Sequence, residues 1–368
     1  MTLKRIISIP LIFFVVVSVM STFAQENDDY NALVAFYNST NGDDWAENTD
    51  WLVDPNVCNW FGITCDIEGK VISIDFKPTL DNSGTFISTD IIGSIPPEIG
   101  DLVYLEELII WNADFSGSGL PNEIGNLSNL IHLELVSSSL SGEIPASIGN
   151  LTNLEIIDLS VNQLTGSIPP ELAALTNLRG LALQNNQLMG TIPVELAQIQ
   201  TLEYVYLDVN ALEGEIPTEL ALLDNLMLFS ASYNQLTGTI PSSFGSAPSL
   251  VGIGFNQNQL TGSIPPELGD SNTLQYIELA LNQLEGTIPN ELANLDLVSL
   301  RLNDNNLSGT IPVWLGNQTN LEYLMLDTNR FTGYIPPELG NLVNLQEISF
   351  GNNALIGEIP ASFANLVN

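Results

Sequence analysis

Two acidic side chains form the arrangement best suited to acid–base chemistry in this chain. Glu134 and Asp158 stand 24 residues apart, a step that also separates many other equivalent residues. If each step adds one strand to a parallel sheet, the two carboxylates lie on neighbouring strands about 4.8 Å apart. Two carboxylates at such short range resemble the pair of a retaining glycosidase. His132 and Glu107 occupy neighbouring positions in the same pattern.

Other catalytic and metal chemistry has few residues available. One histidine and two cysteines exclude Cys–His catalysis and a multi-histidine metal site. No nucleophile elbow, phosphate-binding loop or dinucleotide fingerprint occurs in a suitable context. We therefore predict no cofactor and no metal site. A flat sheet would also not exclude water from a sugar, so we expect a non-enzyme in which the acidic pair contacts a cation or a basic side chain.

The element that must position these residues is a repeat marked by a recurring G-x-I-P motif. Its glycines follow one another at steps of 23 to 25 residues: Gly93, Gly117, Gly142, Gly166, Gly190, Gly214, Gly238, Gly262, Gly286, Gly309, Gly333 and Gly357. A fixed period in the twenties that carries apolar residues at fixed offsets indicates a solenoid. Each unit is too small to bury its own apolar face, so it must stack on its neighbours.

A single repeat can be interpreted residue by residue. Ile157 and Leu159 alternate with Asp158, which predicts a short strand whose middle side chain points outward. Asn162 recurs in almost every repeat, and an inward amide at this position can bond backbone groups that the turning chain leaves unpaired. Gly166 allows a turn that is closed to other residues. The segment after the proline is long enough only for one helical or 3₁₀ turn on the convex side.

The pattern L-x-x-L-x-L-x-x-N-x-L-x-G-x-I-P resembles the leucine-rich repeat, in the subclass of plant receptor ectodomains and polygalacturonase-inhibiting proteins. The resemblance covers residues 70–368 as one array of about twelve units. It implies an α/β fold, a right-handed curved solenoid with a parallel β-sheet on the concave face and short helical or 3₁₀ turns on the convex face. Ser138 and Ala113 depart from the pattern where an asparagine is expected. About ten extra residues between Phe76 and Gly93 suggest a protruding loop.

The amino terminus has the features of an export signal over residues 1–24. Lys4 and Arg5 precede an apolar run, and small residues around Ala24 suit cleavage. The alternative is an uncleaved anchor, but the run is short for a membrane span. We expect a secreted or cell-surface protein, extracellular or periplasmic, with no membrane insertion after cleavage.

Residues 25–69 do not repeat and are similar to the amino-terminal cap of this repeat family, including caps of exported bacterial members. Cys58 and Cys65 fit the C-x-W-x-G-x-x-C motif of such caps. The resemblance, together with export and the presence of only two cysteines, implies a Cys58–Cys65 disulfide.

The charge balance limits the possible partners. Seven basic residues accompany 43 acidic ones, for a net charge of −36. Nucleic acids and anionic membranes require basic side chains, so we predict binding to neither. An extracellular protein or a glycan remains as partner. The last repeat lacks a closing unit, so we expect either that the chain is a fragment of a longer one or that association protects the open end.

Outward strand positions are the expected binding surface, because the core does not use these side chains. Aromatic residues there favour protein or sugar contacts, although an exposed sheet also recruits tyrosine for its β-propensity. The candidate ligand-binding residues on the concave face are Trp111, His132, Glu134, Asp158, Tyr204, Tyr206, Asp208, Tyr276, Arg301, Tyr323 and Asp327.

A second possible surface is the hydroxyl row that follows the turn glycines. Its members are Ser94, Ser167, Thr191, Thr239, Ser263, Thr287 and Thr310. A regular row of hydroxyl groups can order water and suits ice or crystalline-glycan binding. Glu143, Glu215, Tyr334 and Glu358 interrupt it. Such a surface is the alternative to concave-face recognition.

Overall fold

The protein is a solenoid in which every repeat adds one strand to a continuous concave sheet. The structure, a computed structural model, describes residues 28–78 and 89–366. The predicted signal peptide and most of the insertion after Phe76 lie outside these residues. The sheet has 13 strands, and its first strand pairs antiparallel with the second, whereas the others run parallel. The predicted curved solenoid with a parallel concave sheet is confirmed.

The concave strands are short, and most of them contain three residues. In order across the sheet they are Ile63–Cys65, Val71–Phe76, Glu107–Trp111, His132–Val136, Ile156–Asp158, Gly180–Ala182, Tyr204–Tyr206, Leu228–Ser230, Gly252–Gly254, Tyr276–Glu278, Ser299–Arg301, Tyr323–Met325 and Glu347–Ser349. The register keeps equivalent residues of successive repeats side by side, as with Glu134 and Asp158. The columns expected from the sequence therefore exist as rows of neighbouring side chains.

A second set of strands precedes the proline of most repeats, and the sequence pattern did not predict it. These outer strands are Ser141–Glu143, Gln163–Thr165, Met189–Thr191, Ala211–Glu215, Gln235–Thr237, Glu285–Gly286, Asn306–Thr310, Arg330–Gly333 and Ala354–Leu355. They pair in parallel into sheets of two, three and four strands. Strands of two to five residues, several of which contain a glycine, carry too little alternation to be recognised from sequence.

The convex side consists of single 3₁₀ turns, which confirms the prediction for this face. The 3₁₀ helices are Gly42–Asp44, Val57–Asn59, Pro97–Asp101, Asn122–Asn126, Ala146–Asn150, Pro170–Ala174, Val194–Gln198, Thr218–Leu222, Ser242–Ser246, Pro266–Asp270, Asn290–Asn294, Val313–Asn317, Pro337–Asn341 and Ala361–Asn365. A row of asparagines on this side joins repeats to their preceding neighbours. Asn153 donates to the Ser128 carbonyl (2.9 Å), and Asn177 donates to the Thr152 carbonyl (2.9 Å).

The amino-terminal cap closes the first repeats with aromatic side chains. Residues 28–39 are helical, and Phe36 of this helix packs with Trp45, Trp51 and Phe76. The indole of Trp51 also contacts Trp60 at 4.6 Å between ring centroids. The predicted disulfide is confirmed, since Cys58 and Cys65 are bonded with their Cα atoms 5.5 Å apart. This bond ties the cap to the first strand of the concave sheet.

The recurring asparagine forms the predicted internal ladder. Asn258 donates to the carbonyls of Ala231 (3.0 Å) and Phe255 (3.2 Å), and its own oxygen accepts the amide of Leu236 (2.9 Å). One side chain therefore satisfies backbone groups of its own repeat and of the preceding one. Ser138, one of the two departures, donates instead to the Val136 and Ile110 carbonyls (3.0 and 3.3 Å).

The residue before each ladder asparagine adopts a left-handed backbone conformation. This row comprises Val161, Asn185, Val209, Tyr233, Gln257, Leu281, Asp304, Thr328 and Asn352, with φ between 51° and 57°. That conformation costs an ordinary residue roughly 1–2 kcal/mol. Val161 and Val209 adopt this conformation because the turn brings the side-chain amide of the following asparagine into the ladder. The ladder bonds therefore offset strain in every repeat that carries the asparagine.

We expect Asn258→Ala to lower the free energy of unfolding by about 3 kcal/mol, because buried backbone groups of two repeats lose their partner. Gln259→Ala is the matched control, since its exposed side chain should change stability by less than about 0.5 kcal/mol. Denaturant-induced unfolding measures both variants. A loss below about 1 kcal/mol for Asn258→Ala would show that the ladder is not a principal source of stability.

Candidate concave binding face

The sequence-predicted tyrosines lie on the concave face, in the central and carboxy-terminal strands. Tyr204 and Tyr206 are outward residues of one strand, and Tyr276 is in the equivalent column three repeats later. Tyr276 is 37% exposed, and none of the three belongs to the hydrophobic core. Their rings are therefore available to a ligand, whereas Trp111 lies at the amino-terminal end of the sheet.

The acidic patch at the amino-terminal end is already engaged with basic and polar neighbours. Glu134 accepts the indole N–H of Trp111 (3.2 Å) and forms an ion pair with Lys77 (3.3 Å), whose ammonium lies over the Trp111 ring. His132 Nδ1 lies 3.7 Å from a Glu107 oxygen. Lys77 lies outside the repeat pattern, which is why sequence reasoning did not place it here.

Asp158 does not share these contacts. Its Oδ1 accepts the backbone amide of Ser160 (3.0 Å), which lies two residues along its own chain. The register does bring Glu134 and Asp158 to adjacent strands, as a glycosidase pair would require. However, the two carboxylates are held by different groups on an open sheet. A general acid and a nucleophile must act on one bond from a shared site, and the described contacts of these two carboxylates do not join them.

A notch interrupts the concave face where the strand Gly252–Gly254 places glycine at both outward positions. Its volume is about 230 Å³, and its lining is mostly apolar. Leu228 and Ser230 border it on one side and Tyr276 and Glu278 on the other. The depression arises because both glycines lack side chains, whereas the equivalent positions of the neighbouring strands carry larger residues. A Cβ at Gly252 would lie 2.8 Å from a Leu228 methyl.

A chain of polar contacts supports one edge of the notch. Asp208 Oδ1 accepts the Ser230 hydroxyl and the amide of Ser232 (2.8 Å). The Ser232 hydroxyl accepts the amide of Asn256 (3.1 Å), and Asn256 Oδ1 accepts the amide of Ala280 (2.8 Å). The side chains of Asp208, Ser232 and Asn256, from three successive repeats, thus each accept a backbone amide of the following repeat. These bonds keep the edge of the notch rigid.

The remaining candidates lie beyond the notch, towards the carboxyl end. Arg301 forms an ion pair with Glu278 (3.4 Å), and its guanidinium stacks on Tyr323 at 4.8 Å from the ring centroid. Glu278 also accepts the hydroxyl of Ser299 (2.8 Å). Asp327, on the repeat of Tyr323, has a buried Oδ1 without a hydrogen-bond partner. The structure thus groups Tyr206, Asp208 and Tyr276 around the notch and Arg301 and Tyr323 beside it.

Sequence reasoning missed the residues that shape the notch. Gly252 and Gly254 are not among the predicted site residues, since a glycine offers no chemical group. The signal that could have found them is two outward glycines in one strand between strands that carry larger side chains. No cluster of potential metal ligands and no helix capable of crossing a membrane occurs within residues 28–78 and 89–366.

Sequence profiles of known families match most of the chain. A leucine-rich repeat N-terminal domain matches residues 26–66 and a leucine-rich repeat region matches residues 86–190. Single leucine-rich repeats match at 225–247, 273–295, 296–318, 320–342 and 344–366. A leucine-rich-repeat protein of Leptospira interrogans is 31% identical with a TM-score of 0.57, and the match covers 74% of this chain and 73% of that one. The chain belongs to the leucine-rich-repeat proteins.

Two further solved structures resemble this leucine-rich-repeat protein. The plant peptide hormone receptor RGFR1, solved in complex with RGF2, is 34% identical with a TM-score of 0.72, and the match covers 84% of this chain but 55% of the receptor. A plant ice-binding protein is 29% identical with a TM-score of 0.67, and the match covers 90% of this chain and 96% of that protein.

The curated relatives are plant receptor-like proteins and receptor-like kinases of tomato and Arabidopsis thaliana. They are 31–36% identical over segments of 92–154 residues. Those segments span only 8–16% of the relatives' own lengths. The similarity therefore concerns their repeat regions.

The ionisation of the Tyr206 phenol depends on its surroundings at the edge of the notch. Burial raises its pKa above the ordinary 10.0, and the nearby Tyr204 and Asp208 raise it further. The folded state thus favours the neutral phenol, so its stabilising contribution is complete below pH 10 and is lost as the pH rises through the folded pKa. We expect Asp208→Asn to lower the pKa of Tyr206 only in part, because burial is the larger cause.

The measurement is an absorbance titration of the phenols, in which Tyr206→Phe identifies the signal that disappears. An unchanged Tyr206 titration in Asp208→Asn would mean that the carboxylate does not act on this phenol.

Proposed function

We propose that this protein is a secreted, non-enzymatic recognition protein of the plant-type G-x-I-P subclass. It binds an extracellular protein or glycan on its concave face. The observation that carries the proposal is the partly exposed tyrosine surface around the notch. These aromatic side chains project from a rigid sheet, lie outside the hydrophobic core and border the notch.

Three further observations support recognition over catalysis. Glu134 and Asp158 are bonded to different groups, Trp111 and Lys77 for the first and the Ser160 amide for the second. Several similar solved structures are receptor ectodomains with bound peptide hormones, including HAESA with IDA. The strong acidity of the chain favours partners that carry basic groups. Extracellular proteins therefore fit this surface better than nucleic acids or anionic membranes.

A direct test presents residues 25–368 to a displayed random-peptide library, an array of extracellular glycans and a panel of extracellular proteins. We expect specific binders from at least one of them that compete with each other for the concave face. The proposal fails if no binder appears, or if every binder tolerates substitution of the concave side chains.

Replacing Tyr204, Tyr206, Tyr276 and Tyr323 together by Ala should weaken binding by about 30-fold or more. Truncating an interface hot spot often costs about 2 kcal/mol, which corresponds to that factor. The fold should persist, because these rings lie outside the core. Calorimetric titration with the binders found above gives the affinity, and the thermal midpoint reports the fold. Tyr233→Ala serves as control, since Tyr233 is exposed outside the concave strands.

A second candidate function is ice binding by the outer strands, and a specific feature favours it. Exposed hydroxyl residues form two adjacent rows there, one after the turn glycines and one before them that includes Thr261 and Thr332. Thr261 and Thr332 donate to the carbonyls of Gly238 and Gly309 of the preceding repeats, both at 3.1 Å. The γ-methyl of Thr239 packs against the following turn glycine, Gly262. An ordered array of hydroxyl and methyl groups can hold water in regular positions.

For ice binding, a bulky charge in the centre of this surface should remove activity. We expect Thr287→Lys to abolish inhibition of ice recrystallisation, because Thr287 lies in the uninterrupted stretch from Thr239 to Thr310. Tyr276→Ala on the concave face is the control and should leave the inhibition unchanged. Growth of ice crystals in a held frozen sucrose solution is the measurement. A wild-type protein without inhibition would rule out this candidate.

A further inference from the structure

The notch has the dimensions of a site for one side chain. Its volume of about 230 Å³ is below the roughly 300–1,000 Å³ of pockets that enclose drug-sized ligands. The floor is the strand Gly252–Gly254, under which Ile253 is buried, and Leu228 and the Tyr206 and Tyr276 rings flank it. Transfer of a large aliphatic or aromatic side chain into such a site removes apolar surface from water on both partners.

Two carboxylates beside the notch, Glu278 and Asp208, affect which apolar ligands bind there. Glu278 on one side is compensated by Arg301 (3.4 Å). Asp208 on the other side has hydroxyl and amide donors but no cation within 4 Å among the described residues. Its contacts with Ser230 and Ser232 hold the carboxylate in place. A ligand cation that reaches this carboxylate gains an ion pair for which the protein side is already ordered.

We propose that the notch binds one large apolar side chain of an extended peptide segment, with a lysine or arginine of the same segment placed against Asp208. This inference rests on the proposed function and names its ligand class. A peptide fits better than a glycan, because the site combines a single apolar cavity with one uncompensated carboxylate. A sugar ring would instead require several polar partners around its hydroxyl groups.

The test begins with peptides selected from a random displayed library on the wild-type protein. We expect the selected sequences to share a large apolar residue within a few positions of Lys or Arg. Gly252→Leu places a side chain in the notch and should reduce their affinity at least about tenfold, or about 1.4 kcal/mol. The glycine has no left-handed conformation, and the atom nearest to an added Cβ is a Leu228 methyl at 2.8 Å. Because this methyl is the far end of a flexible side chain, it can move aside while the backbone of the strand stays in place.

The matched control is Gly180→Leu. Gly180 occupies the same outward column three strands away, about 14 Å from Gly252. The same chemical change there should leave affinity within about threefold, less than 1 kcal/mol. The thermal midpoint of both variants checks that they are folded.

Asp208→Asn tests the cation without filling the notch, because an asparagine oxygen can still accept the Ser232 amide. We expect affinity to fall at low salt and the difference from wild type to shrink at high salt. Asp224→Asn, at an exposed carboxylate that follows the convex turn Thr218–Leu222, is the control and should leave the salt dependence unchanged.

The outcomes separate this inference from the broader function. Peptides that lose affinity with Tyr323→Ala but not with Gly252→Leu would overturn the notch assignment and leave concave recognition in place. Selected peptides without a shared basic residue, unaffected by Asp208→Asn, would overturn the cation contact. Failure to select any peptide, together with binding on a glycan array, would overturn the peptide class. Failure of every ligand class would overturn the proposed function itself.

Discussion

The inward amide of the ladder asparagine is the interaction on which this structure depends. A 24-residue coil buries a few leucines and leaves its turning backbone without partners, so it cannot be stable alone. Asn258 bonds the carbonyls of Ala231 and Phe255 and the amide of Leu236, and thereby joins two turns. Repetition of this unit makes the array rigid. Rigidity in turn allows short three-residue strands to form a continuous sheet.

That arrangement does not require particular residue types at the outward positions, so their identity decides what each region of the concave face can do. At the amino-terminal end, Lys77 and Trp111 hold Glu134, so the patch is largely self-satisfied. In the centre, the absence of side chains at Gly252 and Gly254 creates the notch, and Asp208 supports its edge. Recognition can therefore concentrate in the centre without any change to the scaffold.

Periodicity made the repeated parts of the fold predictable, and the exceptions escaped for physical reasons. The strands, the convex turns, the asparagine ladder and the Cys58–Cys65 bond follow from patterns of residue type and from the cap resemblance. The outer strands, of two to five residues, are too short to show alternation. Val209 adopts a left-handed backbone conformation that valine disfavours, and the asparagine ladder holds it there. The notch arises from absent side chains, and Lys77 reaches Glu134 from outside the repeat pattern.

Chemical labelling tests most directly whether the concave centre is the recognition surface. Both native cysteines are bonded to each other, so a thiol introduced at Leu228 or at Ser263 reacts alone. Leu228 borders the notch, whereas Ser263 is exposed in the hydroxyl row after the turn glycines. A saturating selected peptide should slow alkylation of Leu228→Cys by at least about tenfold and leave Ser263→Cys unchanged. Protection of Ser263→Cys with no protection of Leu228→Cys would contradict the account.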